Sequence, residues 1–124
     1  MSNCSCIYVN EFDESSFYKE EDILAARKCY VCCECGRKIN VGDRYKKSVI
    51  KWNGEFRTFK TCVDCVSIIN EFFCNGWHFG MVFEDLRAYM ESGGEISEEC
   101  LLGLTNDARY KVFDMIEEGW LNDN

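Results

Sequence analysis

Cys32-Cys33-Glu34-Cys35-Gly36 is answered further along the chain by Cys62-Val63-Asp64-Cys65. Read as Cys32-x2-Cys35 and Cys62-x2-Cys65, these stretches supply four thiols in two close pairs. Two intervening residues let both sulfurs of a pair turn onto one ion at about 2.3 Å, the Zn–S distance of tetrahedral structural sites. Gly36 gives the backbone freedom a tight knuckle needs for its amides to approach thiolates. One such pair is weak testimony. Two pairs flanking residues 36–61 point to a structural Zn2+ held by Cys32, Cys35, Cys62 and Cys65.

What lies between and after the pairs sets the fold class. Asn40, Gly42 and Asp43 make a turn, and Arg44 to Trp52 reads as a strand rich in Tyr, Val, Ile and Trp. Asn53-Gly54 is a strong two-residue hairpin signal, because a type I′ turn needs positive φ at both positions. Glu55 to Thr61 returns, with Lys51 facing Phe56, Ile50 facing Arg57 and Val49 facing Thr58. Cys62 and Cys65 then open a helix with Val66, Ile69, Phe72 and Phe73 at helical spacing. Asp64 sits in its first turn, at the positive end of the helix dipole. Knuckle, hairpin, then a helix that donates the second pair is the order of a treble clef.

Beyond the finger, Met81 to Ser92 reads as an amphipathic helix with Val82, Leu86, Tyr89 and Met90 on one stripe. Ser97 caps a short helix through Leu102. Asn106 caps another, with Val112, Phe113 and Ile116 inward and Gly119 ending it. The expectation is one α+β domain over residues 1–124: a small treble-clef zinc finger with a β-hairpin plus a short helical C-terminal extension. Its parts are an N-terminal segment (1–28), the finger core (29–80) and an acidic helical extension (81–124).

Ten cysteines without an export signal, grouped in C-x-C and C-x2-C units, fit a reduced metal-binding protein better than a disulfide scaffold. No apolar run approaches the ~18 residues of a membrane span. Cys4-x-Cys6, Cys33 and Cys74 remain as a second candidate zinc set, making one or two ions per chain. Cys33 is expected to point away from the first metal, held there by its neighbours. Cys29 and Cys100 read as packing residues. His78 is the only histidine, which argues against HNH-type nuclease chemistry and a Ser/His/Asp triad, and no enzymatic activity is expected.

The formal net charge of -8 hides a division. Ten of the 14 basic residues fall between positions 27 and 60, and thirteen of the 22 acidic ones after position 60. The hairpin's Lys46, Lys47, Lys51, Arg57 and Lys60, interleaved with aromatics, are the candidates for nucleic-acid binding. Glu84, Asp85, Glu91, Glu98 and Glu99 are the candidates for contact with a protein partner of opposite charge. The overall negative charge favours the protein partner.

Cys4-x-Cys6, Ala26-Arg27-Lys28, Cys32-Cys33-Glu34-Cys35, Gly42-Asp43-Arg44-Tyr45, Trp52-Asn53-Gly54, Phe59-Lys60-Thr61-Cys62 and Cys74-x-Gly76-Trp77 together resemble a family of small phage and prophage zinc-finger proteins. The likeness spans about residues 4–90 and leaves the acidic part after Gly94 outside it. It implies a bacteriophage accessory protein in the cytoplasm of the bacterial host, and carries no catalytic residues across. On that basis the expected role is non-enzymatic binding of a host protein, inhibiting a bacterial defence or metabolic machine. Nucleic-acid regulation through the basic hairpin is the alternative.

Overall fold

The computed structural model describes Ile7 and residues 17–52, 54–73 and 79–122. In chain order the elements are β1 (Phe17–Ile23), β2 (Tyr30–Val31), β3 (Lys38–Ile39), β4 (Tyr45–Trp52) and β5 (Glu55–Cys62). The helices α1 (Val63–Phe72), α2 (Val82–Glu91), α3 (Glu98–Leu102) and α4 (Asn106–Asn122) follow. Antiparallel sheets thus precede a run of helices, an α+β arrangement of treble-clef-like order.

β4 and β5 pair in the register that the Asn53-Gly54 turn dictates, with Lys51 opposite Phe56, Ile50 opposite Arg57 and Val49 opposite Thr58. Gly54 takes φ +79°, a backbone state that favours glycine. The sheet has a third strand that the hairpin reading does not contain. β1, inside the segment expected only as an N-terminal lead, pairs antiparallel with β4 from Tyr45 to Lys51. Its acidic residues explain the match: Glu21 stands opposite Lys47 and Asp22 opposite Lys46, while Lys46 also bridges to Glu20 at 3.5 Å. Opposite charges on facing strands stabilise a pairing by about 0.2–1 kcal/mol each.

Two apolar clusters hold the elements together. One collects Ile68, Ile69 and Phe72 of α1, Val82 and Leu86 of α2, Leu101 and Leu104 around α3, and Ala108 and Val112 of α4. The other gathers Ala26, Ile39 and Tyr45 around Cys32, Cys62 and Cys65. Phe83 packs against both and joins finger to helices. Each fully buried Leu, Ile, Val or Phe contributes roughly 1.5–3 kcal/mol.

Ser97 caps α3 as its sequence suggests, accepting the Cys100 N–H at 3.4 Å. The last helix departs from expectation. Thr105, one residue before Asn106, accepts the Ala108 N–H through its hydroxyl, and α4 continues through Gly119 to Asn122. Phe113 is 43% exposed rather than inward, because Ala108 and Val112 already fill the stripe facing α1. No described helix is long and apolar enough to cross a membrane.

Candidate metal centre

β2 and β3 form a two-residue-deep hairpin whose tip is the first knuckle. Cys32 N donates to Arg37 O at 2.9 Å and Gly36 N to Cys32 O at 3.0 Å, closing the turn with Gly36 at φ +76°. β5 runs into α1 at the second pair, so Cys62 ends a strand and Cys65 lies in the first helical turn. Cys33 N donates to Lys60 O at 2.9 Å, which clamps the knuckle against β5.

The four sulfurs of Cys32, Cys35, Cys62 and Cys65 consequently lie within 4.8 Å of one another. Cys35 Sγ and Cys62 Sγ are 3.8 Å apart. A tetrahedron with 2.3 Å metal–sulfur bonds has sulfurs about 3.8 Å apart, so the cluster is of the size to hold one Zn2+. Amides of Glu34 and Cys62 both point at Cys32 Sγ, at 3.4 Å each. These donors stabilise thiolate charge, as a structural metal site requires.

The thiols themselves argue for a cation. Hydrogen bonds from Cys62 and Cys65 hold the Cys32 thiol well below its ordinary range. The same contacts, with burial, push Cys62 up to about 12 and Cys65 higher still. One thiolate is favoured, and its charge opposes ionisation of Cys62 and Cys65. Several thiolates together need a dication among them. Arg37 supplies part of the positive field: burial opposes its charge, but Cys62, Asp64 and Cys35 raise its pKa above the usual guanidinium value.

Two residues flanking these cysteines hold the site to the rest of the molecule. Asp64, 6% exposed, pairs with the Arg37 guanidinium and accepts the Thr105 hydroxyl proton at 2.5 Å. Glu34 reaches the other way. Its carboxylate accepts N–H bonds from Gly80 at 2.7 Å and Val82 at 3.1 Å, at the start of α2, where negative charge suits the helix dipole. Burial raises its pKa. Glu34→Ala is expected to cost about 1 kcal/mol, the usual loss of a helix-start cap. Thermal unfolding of the metal-loaded protein measures it, and an unchanged midpoint would refute the anchoring role. Neither long-range contact has a local sequence signal, although a carboxylate inside each C-x2-C pair was visible.

Of the remaining candidates, Cys33 lies outside the four-sulfur cluster. Its thiol donates to Glu34 Oε2 at 3.4 Å and lies 3.5 Å from Thr61 Oγ1, and burial raises it to about 12. Cys4, Cys6, Cys74 and His78 lie outside the described residues. Cys29 is exposed, which does not fit a packing role, whereas Cys100 is buried at 2% exposure.

Strand alternation divides the basic residues of the hairpin. Lys47, Lys51 and Lys60 share one face with Lys19 of β1, whereas Lys46 and Arg57 lie on the other. Lys60 is drawn over the Tyr30 ring at 4.4 Å and Lys51 over Phe56 at 5.4 Å. Glu84 and Glu91 of α2 and Glu98 and Glu99 of α3 are exposed. Asp85 is half-buried, and its Oδ2 lacks a hydrogen-bond partner among the described residues. Comparison with protein-family models, curated proteins and solved structures finds no match.

Proposed function

We propose that this chain is a non-enzymatic, zinc-stabilised interaction module: one domain in which a treble-clef finger carries an acidic helical surface to a partner protein. The observation that carries the reading is the composition of that surface. Glu84, Glu91, Glu98 and Glu99 are exposed, and Leu102, Tyr110 and Phe113 are exposed among them at 70%, 72% and 43%. Tyr110, Phe113, Asp114 and Glu117 fall at three- and four-residue spacing along one side of α4. Aromatic anchors on helices where acidic side chains outnumber the exposed Arg87 and Lys111 suit a protein with an electropositive patch, the aromatics supplying contact area and the charges steering encounter. The motif resemblance supports a phage accessory role in the bacterial cytoplasm, with a host protein of a defence or metabolic machine as target.

One observation favours nucleic acid as a second reading. Lys19, Lys47, Lys51 and Lys60 gather on one sheet face beside the exposed Phe56, a basic and aromatic strip of the kind that meets phosphates and bases. Against it stand Glu21, on that same face opposite Lys47, and the net charge of -8.

Capture from bacterial lysate identifies the partner, and association kinetics with the purified partner then test the surface. Replacing Glu84, Glu91, Glu98 and Glu99 by Gln is expected to slow association tenfold or more at low salt, with dissociation little changed, because exposed charges act mainly on encounter. Tight duplex or single-strand binding at physiological salt, lost in Lys47→Ala/Lys60→Ala, would instead establish the second reading.

A further inference from the structure

Among the described residues the larger sheet runs β1-β4-β5, which leaves β5 at its edge. What meets the outer side of β5 can be followed residue by residue. Lys60 O accepts the Cys33 N–H at 2.9 Å, and Cys62 N donates to Cys32 Sγ at 3.4 Å. The even-numbered residues of β5 therefore turn their main-chain groups away from β4. The knuckle covers this edge at Lys60 and Cys62. No described residue makes a backbone bond to Thr58 on that side. Glu55, Phe56, Arg57 and Thr58 are exposed, Phe56 at 64%.

An exposed edge is a template for another strand, and the sequence of this one suits a second copy of itself. Such a pair is antiparallel about a twofold axis, so the residue on the axis meets itself. An axis at Thr58 would bring Phe56 of one copy onto Lys60 of the other, where Cys33 already stands. An axis at Arg57 would set two guanidinium groups opposite each other, and like charges directly opposed destabilise a pairing. An axis at Phe56 avoids both conflicts. It places Glu55 of each copy opposite Arg57 of the other, with the two Phe56 rings side by side on the other face. Phe56 then stands at a hydrogen-bonded position, where facing residues exchange both N–H···O bonds.

We propose that the β5 edge is a self-pairing surface, which joins the three-stranded sheets of two copies of this chain about Phe56. The contact is isologous, so it closes at two copies. A stretch from Glu55 to Thr58 is shorter than the ~800 Å² per partner of a stable interface requires, and the dimer forms and dissociates with concentration. This inference does not depend on what the acidic helices bind.

Sedimentation of the zinc-loaded full chain over a concentration series tests it. A monomer–dimer equilibrium that stops at two copies is expected. Thr58→Pro removes a donor from the outer edge and leaves the β4 side alone, a place where edge strands tolerate proline, and should abolish the dimer. Glu55→Arg and Arg57→Glu each oppose like charges across the axis and should weaken self-association tenfold or more. Mixed in equal amounts, these two variants again oppose unlike charges, and their heterodimer should recover the original affinity. Both swaps alter exposed side chains, so they decide the matter even if Thr58→Pro does not fold; zinc content and thermal midpoint check each variant. A chain that stays monomeric up to about 1 mM overturns the inference. So does a dimer indifferent to the swaps, or lost instead in Tyr110→Ala/Phe113→Ala. Assembly that runs on beyond two copies also overturns it, since that is the signature of β5 pairing head-to-tail with β1 of the next copy.

Discussion

Cys65→Ser is expected to strip the metal from the finger and unfold the sheet's metal-proximal end. Cys65 is fully buried and belongs to the apolar cluster with Ala26, Ile39 and Tyr45. Among the described residues, the other restraints on this region are a two-residue hairpin, three strands, the Glu34 and Asp64 contacts and the Phe83 packing, with little apolar burial of its own. Structural zinc contributes about 10–16 kcal/mol in small fingers, as much as the whole stability of an ordinary domain. Chelation of the unmutated protein should produce the same loss, reversed by returning Zn2+. Acid should do so as well. The ligands bind as thiolates, and the hydrogen bonds with Cys32, together with burial, push Cys62 and Cys65 up, so metal binding releases protons. Stability from the ion is therefore present at neutral pH and lost as pH falls. Far-UV circular dichroism with a colorimetric zinc assay reads both changes; a Cys65→Ser protein with undiminished zinc and an unchanged melt would sink the assignment.

How far the sequence carried this reading depended on whether each signal was local. The two C-x2-C pairs, the hairpin glycine Gly54 and the Ser97 cap are each decided within a few residues, and each finds its counterpart in the structure. The β4–β5 register follows from turn geometry alone. β1 was illegible for a different reason. Phe17 to Ile23 carries Lys19, Glu20, Glu21 and Asp22 in succession, with no alternation of apolar and polar residues. It reads as a solvated run until the lysines of β4 are placed opposite it. That pairing also changes the functional argument, since β1 neutralises part of the basic charge that made the hairpin resemble a nucleic-acid surface. Phe113 has the spacing of an inward residue yet is exposed, because apolar spacing cannot tell a core stripe from an exposed aromatic beside it.

Asp64→Ala is expected to cost about 2–3 kcal/mol and to uncouple the finger from α4 while leaving the metal bound. Hydrogen bonds to a charged group contribute about 1.5–3 kcal/mol each when buried. Asp64 makes two such contacts, to Arg37 of the knuckle and to Thr105 at the start of α4. Arg37 is 38% exposed and also reaches Asp107 at 3.5 Å, so its share is screened and the Thr105 bond dominates. Around that bond, Ser67 Oγ donates to Asp64 O and accepts the Thr105 N–H, while Thr105 Oγ1 accepts the Ala108 N–H. Loss of the carboxylate thus frees a helix cap as well as an ion pair. Asp64 links the zinc-ligating turn to the helix bearing Tyr110 and Phe113, beside the Arg37–Asp107 and Ser67–Thr105 contacts and the packing of α1 on α4. Metal binding in the finger is expected to order the surface proposed to meet the partner. Denaturant unfolding of Asp64→Ala, Thr105→Val and the double variant measures the coupling, with a non-additive term above about 0.5 kcal/mol expected for residues in one network. Amide exchange in α4 should quicken in Asp64→Ala with zinc still bound. Additive losses, or α4 protection that is untouched, would mean that Asp64 does not couple the finger to α4 and that the Glu34 bonds, the Phe83 contact and the α1–α4 packing hold them together without it.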